Sequence, residues 1–306
     1  MIGDQLSDVF DLIEVRGLLT GGLSVHGDWF ATFDLEHPLK MVAVVCGHLR
    51  LSADGHDPIE LGPGDVAILN HRTYMTVEGG PGLVLPSKLD IEAAEQAFVR
   101  GDVGCGEADV IIGGHVDVNP MGEALLAQAL PPVGHVRASA TEATNLHAIL
   151  NRVLDEVTGQ RVGSAFAIQQ QGQLLLLEVL RAYLAQAGEL PPGWLRLLTD
   201  ERLRPAVTLM HDQPGKPWRL DELARAAAMS RTSFAERFRT VSGVPPLTYL
   251  NNWRMQLARH ALRDSDTRVG PLAFRLGYTS ESAFSNAFKR EVGISPLRYR
   301  TSLQNA

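Results

Sequence analysis

Cysteine is scarce in the 306-residue sequence, which contains only Cys46 and Cys105. The two lie far apart and form no CxxC pair, so the sequence argues against a disulfide framework and against a cysteine zinc site. No run of about 18 apolar residues occurs, and Glu178 follows the leucine run that ends at Leu177, which argues against a membrane span. The start of the chain also lacks a basic segment followed by an apolar stretch, so we expect no secretory signal and a cytoplasmic protein.

Positive charge is scarce over most of the chain but not in its C-terminal third. The net charge of the whole sequence is −7. From Arg196 onward, 18 Lys and Arg residues stand against 10 Asp and Glu, a net charge of +8, whereas residues 1–195 carry a net charge of −15. This division favours a basic module that faces DNA, joined to an acidic module with another task. On charge alone, two solvated surfaces of different sign are an equal alternative.

Up to about residue 120 the sequence predicts short strands separated by turns. The turn 62–65, Gly-Pro-Gly-Asp, divides two short candidate strands at 59–61 and 66–69, and residues 42–45 are a further candidate for a buried strand. Frequent glycine and proline are typical of a sandwich or barrel rather than of helices. Residues 4–16 differ, because their apolar side chains recur at helical spacing and predict a short helix leading into the β domain.

From about residue 141 the pattern becomes helical. Two amphipathic runs, separated by Gly159 and Gly163, predict a helical hairpin over residues 141–187. Its apolar faces can pack on each other, on the β domain or on a second copy of the chain. We expect a homodimer, which charged substitutions at Leu150 and Leu177 should dissociate.

These patterns predict an α+β protein, and 306 residues are enough for more than one hydrophobic core. We assign residues 1–140 to the β domain and residues 141–195 to the helical hairpin and a linker. Residues 196–306 are predicted to form an all-α domain.

The most informative feature is an internal repeat within this last domain. Seven positions recur with an offset of 49 residues up to the turn and 50 after it: Leu223-Ala224, Met229, Phe234, Phe238, Gly243 and Pro246 match Leu272-Ala273, Tyr278, Phe284, Phe288, Gly293 and Pro296. Each copy predicts a helix, a tight turn, a second helix and a stop made of glycine and proline. This order describes a helix-turn-helix motif, present twice.

The second helix of each copy has a buried side and a polar side. Ser230 is expected to cap the first of these helices, and Gly277 with Thr279 or Ser280 to form the turn and cap of the second. With the phenylalanines facing inward, the opposite faces are free to enter a major groove. We therefore predict DNA contacts for Arg231, Thr232, Ala235, Glu236, Arg239, Ser280, Glu281, Ser282, Ser285, Asn286 and Lys289.

A helix predicted over residues 247–263 joins the two copies and spans roughly 26 Å. Motifs packed at its ends would place their second helices about 34 Å apart, one turn of DNA, in successive segments of the major groove. The alternative is a plain helical bundle, but a bundle has no reason to repeat the same corner, cap and stop.

These residues closely resemble the AraC/XylS family of transcription regulators. The likeness covers about a hundred residues and is carried by segments 218–224, 229–234, 238–246, 253–258, 276–288 and 295–300. It implies binding to promoter DNA, usually with activation of RNA polymerase. Glu236 departs from the family pattern, because relatives more often carry a basic or amide residue there, so no operator sequence can be carried over.

The first 190 residues resemble the cupin-type sensor domain found in one branch of that family. The likeness rests on Arg16-Gly17, the turn 61–66, the segment 130–133 and Leu180-Arg181 in the hairpin. It implies a small β-barrel that holds a small-molecule effector, followed by helices that form a dimer.

A catalytic cupin would instead need a metal held by two His residues separated by one residue, a Glu and a further His. The sequence contains no His-x-His, and Val42 and Met75 occupy positions where sensor relatives often carry His. The scattered histidines at 26, 37, 48, 56 and 71 are better explained as surface or hydrogen-bonded residues. We therefore predict no catalytic site, no metal and no cofactor, and we expect Cys46 to be a buried small hydrophobic residue rather than a redox sensor.

The leading interpretation is a dimeric DNA-binding transcription regulator that responds to a small molecule. The first alternative is an architectural DNA-binding protein whose acidic half is only an oligomerisation scaffold. An enzyme with an appended DNA-binding segment is the second.

Overall fold

The computed structural model describes residues 5–13, 15–17, 21–82, 85–101, 108–138, 144–159, 161–186, 190–263 and 267–304. The chain forms two compact units. One, the N-terminal unit, contains Glu14–Glu189, and the other, the C-terminal unit, contains Leu190–Ala306 together with Met1–Ile13. The predicted α+β class is confirmed, since the first unit is rich in strands and the second is helical.

Two five-stranded sheets form the centre of the N-terminal unit. The first contains, in spatial order, β12 (Val133–Val136), β7 (Val66–Asn70), β4 (Leu39–Cys46), β10 (Ala108–His115) and β2 (Gly21–His26). The second contains β6 (Ile59–Leu61), β5 (Leu49–Ala53), β8 (Tyr74–Gly79), β3 (Trp29–Asp34) and β9 (Ser87–Lys88). A separate antiparallel pair joins β1 (Val15–Gly17) to β11 (Asp117–Val118).

The inner faces of the two sheets enclose the hydrophobic core of this unit. Side chains alternate along a strand, so Val42 and Val44 of β4 face Met75 and Val77 of β8 within one buried cluster. The described strands do not join into one closed ladder, and the edge strands β9 and β6 have only two and three residues. The predicted barrel is therefore a pair of facing sheets, because a closed barrel needs continuous pairing at every edge.

Four helices surround these sheets: α2 (Ile91–Arg100), α3 (Pro120–Ala129), α4 (Thr144–Gly159) and α5 (Ser164–Gln186). Helix α2 packs on β2, where Gly22 leaves room for Phe98; a Cβ at residue 22 would lie 2.3 Å from that ring. Helices α4 and α5 form the predicted hairpin, and they also pack on the strands of the same unit. The side chain of Leu150 is only 1% exposed, so it belongs to the core of a single chain rather than to a surface that a second copy could cover.

Cys46 is buried at the end of β4 and is disulfide-bonded, which corrects the expectation of a free thiol. Distance along the chain misled the prediction, because it does not determine distance in the folded protein. Cys105, the other cysteine of the sequence, lies outside the described residues.

The C-terminal unit consists of helices. They are α1 (Gln5–Leu12), α6 (Trp194–Thr199), α7 (Arg204–Asp212), α8 (Leu220–Ala226), α9 (Arg231–Ser242), α10 (Pro246–Ala261), α11 (Val269–Arg275), α12 (Glu281–Val292) and α13 (Pro296–Gln304). Two separate buried clusters hold it together, one around Phe234 and Phe238 and one around Phe284 and Phe288. No helix in the described ranges is long and apolar enough to cross a membrane.

Helix α1 forms as predicted, but it packs against α7 and α10 of the C-terminal unit rather than on the sheets. The carboxylate of Asp8 lies 3.1 Å from Nδ1 of His211, and the other ring nitrogen of His211 lies 2.9 Å from the hydroxyl of Tyr249. The His211 ring also stacks on Trp253, with centroids 3.9 Å apart.

Candidate nucleic-acid interface and inter-sheet cavity

The two helix-turn-helix corners are built in the same way. In the first, Ala228 adopts a left-handed conformation with φ of 51°, and the Met229 N–H donates to the Ala224 carbonyl at 2.9 Å. In the second, Gly277 has φ of 83°, and the N–H of the next residue donates to the Ala273 carbonyl at 3.0 Å. The repeat seen in the sequence is thus a repeat of backbone geometry.

Serine caps begin both second helices. The Ser230 hydroxyl accepts the N–H of Ser233 at 3.2 Å, and the Ser280 hydroxyl accepts the N–H of Ala283 at 3.1 Å. Ser280, rather than Thr279, is therefore the second cap. Both helices end at a left-handed glycine, Gly243 or Gly293.

Helices α9 and α12, which we call the recognition helices, present the same pattern of burial. The phenylalanines are fully buried, and the residues between and beyond them are exposed in matching order. Of the predicted DNA contacts, Ala235 and Ser285 are half-buried at the inner margin of the face. The other predicted contact residues are exposed. In the first copy they are Arg231, Thr232, Glu236 and Arg239, and in the second they are Ser280, Glu281, Ser282, Asn286 and Lys289.

Some charged side chains of the recognition helices form ion pairs within the protein, and others are left to contact DNA. Arg231 pairs with Asp221 of α8 at 3.6 Å. Within the described residues, Glu236, Arg239 and Lys289 take part in no ion pair. Their charges are therefore free to meet base edges or phosphates.

Helix α10 begins and ends within two residues of its predicted bounds. Its Arg254 holds a neighbouring loop, a role that the sequence did not predict. The Arg254 guanidinium donates to the carbonyl of Pro214 at 2.6 Å and to that of Lys216 at 3.0 Å. The loop held in this way packs against the second corner, where a Cβ at Gly277 would lie 2.3 Å from the Gly215 carbonyl oxygen. The family likeness at Trp253-Arg254 marked Arg254 in the sequence as a residue of interest. Its role could not be predicted, because Arg254 contacts a loop about 40 residues away along the chain.

A second candidate site lies in the N-terminal unit. A cavity of about 110 Å³, open to solvent on one side, lies between the inner faces of the two sheets. We call it the inter-sheet cavity; its apolar lining consists of Leu23, Phe33, Val42, Met75, Val77 and Ile111. Val42 and Met75, noted above as positions where relatives often carry His, thus face this space.

The same cavity has few polar side chains at its margin, namely those of Lys40 and Glu95. Burial lowers the pKa of Lys40, and its ammonium lies 5.4 Å from the centre of the Phe33 ring. In the described part of the chain, no group of three or more His, Cys, Asp or Glu residues is placed to hold a metal ion.

Comparisons with known proteins agree with both parts of this description. Residues 4–185 match the family model described as Cupin, and residues 223–302 match the model described as Helix-turn-helix domain. A protein of Streptomyces lividans named "Putative AraC-like transcription regulator" is 34% identical over 299 residues, covering 97% of this chain and 98% of the relative. A protein of the same name from Streptomyces antibioticus is 36% identical over 307 residues, with the same coverage.

Among solved structures, the DNA-binding domain of AdpA in complex with a target DNA is 31% identical. The match covers 35% of this chain and 96% of that domain, with a TM-score of 0.33. The two relatives from Streptomyces match nearly the whole chain, and the Cupin model matches more than half of it. The chain therefore belongs to the AraC-like family of transcription regulators, with an N-terminal cupin domain and a C-terminal DNA-binding domain that carries two helix-turn-helix motifs.

Proposed function

We propose that this regulator contacts adjacent major-groove segments of promoter DNA with α9 and α12, and that a small molecule bound in the N-terminal unit controls this binding. The observation that carries the proposal is the matched exposure of the two recognition helices, whose polar faces correspond residue by residue. A single DNA-contacting helix would leave the second motif, with its own cap and core, without a purpose.

The charges support this proposal. The C-terminal third of the chain has a net charge of +8. Arg231 and Arg237 of α9 pair with carboxylates, whereas Arg239 and Lys289 form no ion pair within the described residues. Positive charge supplies affinity for phosphates, whereas Glu236 and Asn286 offer an acceptor and an amide to base edges. A surface with only cations would bind DNA with little preference for sequence.

Three finer points belong to the same proposal. The protein acts in the cytoplasm as an activator that engages RNA polymerase, as the family likeness implies. It works as a homodimer through the α4–α5 hairpin, since α5 carries apolar side chains that its own chain leaves exposed. It is not an enzyme, in keeping with the names of its relatives.

Selection of bound duplexes from a random pool, followed by footprinting with the full-length protein, tests the proposal. We expect one preferred sequence with two protected segments about one helical turn apart for each chain bound. Transcription in vitro from a promoter that carries this sequence should then depend on the protein. Uniform protection without sequence preference would instead support the architectural alternative and contradict the proposal.

A further inference from the structure

We propose that the inter-sheet cavity binds a small organic acid, a carboxylate joined to a compact apolar or aromatic body, with the Lys40 ammonium as its charge partner. This inference rests on the proposed control of DNA binding by a small molecule, and it assigns the chemical class of that molecule.

The cavity exists because two side chains are missing from its wall. Gly21 of β2 and Gly113 of β10 are directly paired across the sheet, in line with the core residues Leu23 and Ile111. A Cβ at Gly21 would meet no atom within 4 Å, and one at Gly113 would meet only the Met41 carbonyl at 3.7 Å. Neither glycine has a positive φ, so the backbone does not require glycine at either position. The two glycines therefore leave space rather than shape a turn.

The remaining wall suits an apolar body. Aliphatic, aromatic and thioether side chains from both sheets line the space. The cavity volume is about 110 Å³, which suits only a compact ligand. A dry apolar cavity of roughly 150 Å³ can bind benzene, and small-molecule sites are typically apolar with a few placed polar groups. No group suited to a metal lies among the described residues, so the placed polar group that remains to be explained is Lys40.

Lys40 is the second residue of β4, on the same face as Val42, and its ammonium lies at the margin of the cavity, near the ring of Phe33. Within the described residues, the Lys40 ammonium forms no ion pair, and Glu95, which lines the same cavity, does not reach it. Lys40 is paired with Leu69 of β7 on one side and with His115 of β10 on the other. His115 stacks on His37 with ring centroids 3.8 Å apart, and neither paired residue supplies a negative charge.

A half-buried cation without a counter-ion is costly, and a bound anion offsets that cost. Burial lowers the pKa of Lys40, in keeping with this interpretation. Glu95 at the margin disfavours a second negative charge on the ligand, so a monoanion fits better than a dicarboxylate. The apolar walls and the single cation together select an acid with one charged end.

Benzoate and hexanoate, with benzamide and hexanamide as neutral counterparts, are suitable probes for the full-length protein. At about 10 mM, at least one acid should raise the melting temperature by a few degrees, and its amide should raise it less. Lys40→Met should weaken binding of that acid at least about tenfold in calorimetry, while Lys88→Met, at an exposed lysine of β9, should not.

A size series at Gly113 tests the place of binding. Gly113→Leu should fill the cavity and abolish binding of the acid, whereas Gly113→Ala should retain most of it. Circular dichroism establishes that each variant is folded, and Lys40→Gln and Gly113→Ala remain informative if the larger changes prevent folding.

Two results would overturn the inference: no acid raises the melting temperature, or folded Lys40→Met binds the acid as tightly as the parent. Footprinting on the same preparations separates this inference from the proposed function. A specific footprint without acid binding overturns the inference alone. Acid binding without a specific footprint overturns the proposed DNA-binding role and leaves the cavity assignment supported.

Discussion

Glu236 and Asn286 occupy the same position in the two recognition helices, 50 residues apart, and both are exposed. Arg239 and Lys289 match in the same way, about one turn further along. A carboxylate can accept from a cytosine amino group, and a carboxamide can pair with adenine through two hydrogen bonds. The cations are placed where contact with phosphate is as probable as contact with a base.

Alanine substitutions should therefore separate base contacts from phosphate contacts. Glu236→Ala or Asn286→Ala should cost about 1–3 kcal/mol on the preferred site and relax preference at one base pair, with little change in salt dependence. Lys289→Ala should weaken binding to all sequences alike and lower the salt slope by about one unit. Salt titrations against matched and single-substituted operators measure both effects.

Glu92→Ala, at an exposed carboxylate of α2, is the matched control for loss of negative charge and should leave specificity unchanged. If Glu236→Ala instead tightens binding to every sequence, the carboxylate only repels phosphate. That result would remove its role in base recognition.

The two corner residues, Ala228 and Gly277, should respond to substitution in opposite directions. Ala228→Gly removes the strain of a left-handed alanine, which outweighs the added flexibility of the unfolded chain, and should raise the free energy of unfolding by about 0.5–1 kcal/mol. Gly277→Ala forces a Cβ to 2.3 Å from the Gly215 carbonyl oxygen and should lower it by more than about 2 kcal/mol. Urea denaturation of full-length variants gives both values, and destabilisation by Ala228→Gly would contradict the assignment of strain.

At the scale of elements, local sequence patterns predicted the helices and their caps, but they did not predict contacts between distant parts of the chain. Caps such as Ser230 and the paired phenylalanines depend on residues within a turn or two of each other, so the recognition helices could be placed from the sequence. Leu150 was expected at a dimer surface, because helical spacing identifies an apolar face but not its partner, and Leu150 is instead buried within its own chain. The disulfide of Cys46 and the packing of α1 also depend on partners that no local pattern reveals.

The contact of α1 with α7 and α10 should make the C-terminal unit sensitive to acid. The Asp8 carboxylate only accepts, so Nδ1 of His211 carries the proton and Nε2 accepts from the Tyr249 hydroxyl, which matches a neutral ring. Burial lowers the pKa of His211 in the folded chain below its ordinary value, although Asp8 opposes that shift. As the pH falls below about 6.5, the unfolded chain takes up a proton at this residue before the folded chain does.

The contribution of His211 to the free energy of unfolding should therefore be fully present above about pH 6.5. It should decline as the pH falls from there toward the lowered pKa of His211 in the folded chain. Chemical denaturation at several pH values, with His211→Gln beside the parent, measures the contribution of this residue to the slope. His260→Gln, at an exposed histidine of α10, is the control and should leave the slope unchanged. An unaltered slope in His211→Gln would show that the buried ring is not responsible.

At the scale of the whole molecule, opposite charges accompany the two tasks. Residues 1–195 have a net charge of −15 and the remainder +8, so phosphate attracts one part of the chain and repels the other. Repulsion by phosphate disfavours nonspecific contact between the acidic part and DNA. The surfaces of that part can then bind a ligand or a second copy of the chain. This separation could be predicted from composition alone, whereas the chemistry of the cavity required the pairing of Gly21 with Gly113.

The surface proposed for the second copy lies on α5. Phe166 is 69% exposed and Leu174 is 46% exposed, and their separation of eight positions places both on the same broad face of the helix. Large apolar side chains on one exposed face are typical of a contact between chains. Leu150 is excluded from this surface by its burial within the chain.

Phe166→Glu combined with Leu174→Glu should therefore convert a dimer into monomers that remain folded, because both side chains lie outside the core of the unit. Operator binding should weaken as well, since two linked copies bind neighbouring half-sites at a high effective concentration and separate copies do not. Sedimentation at micromolar concentration and operator titration measure the two effects. Val99→Glu, at an exposed apolar residue of α2, should alter neither, and Leu150→Glu should instead unfold the N-terminal unit. A parent protein that sediments as a monomer would refute the dimer, and a dimeric double variant would place its interface elsewhere than on α5.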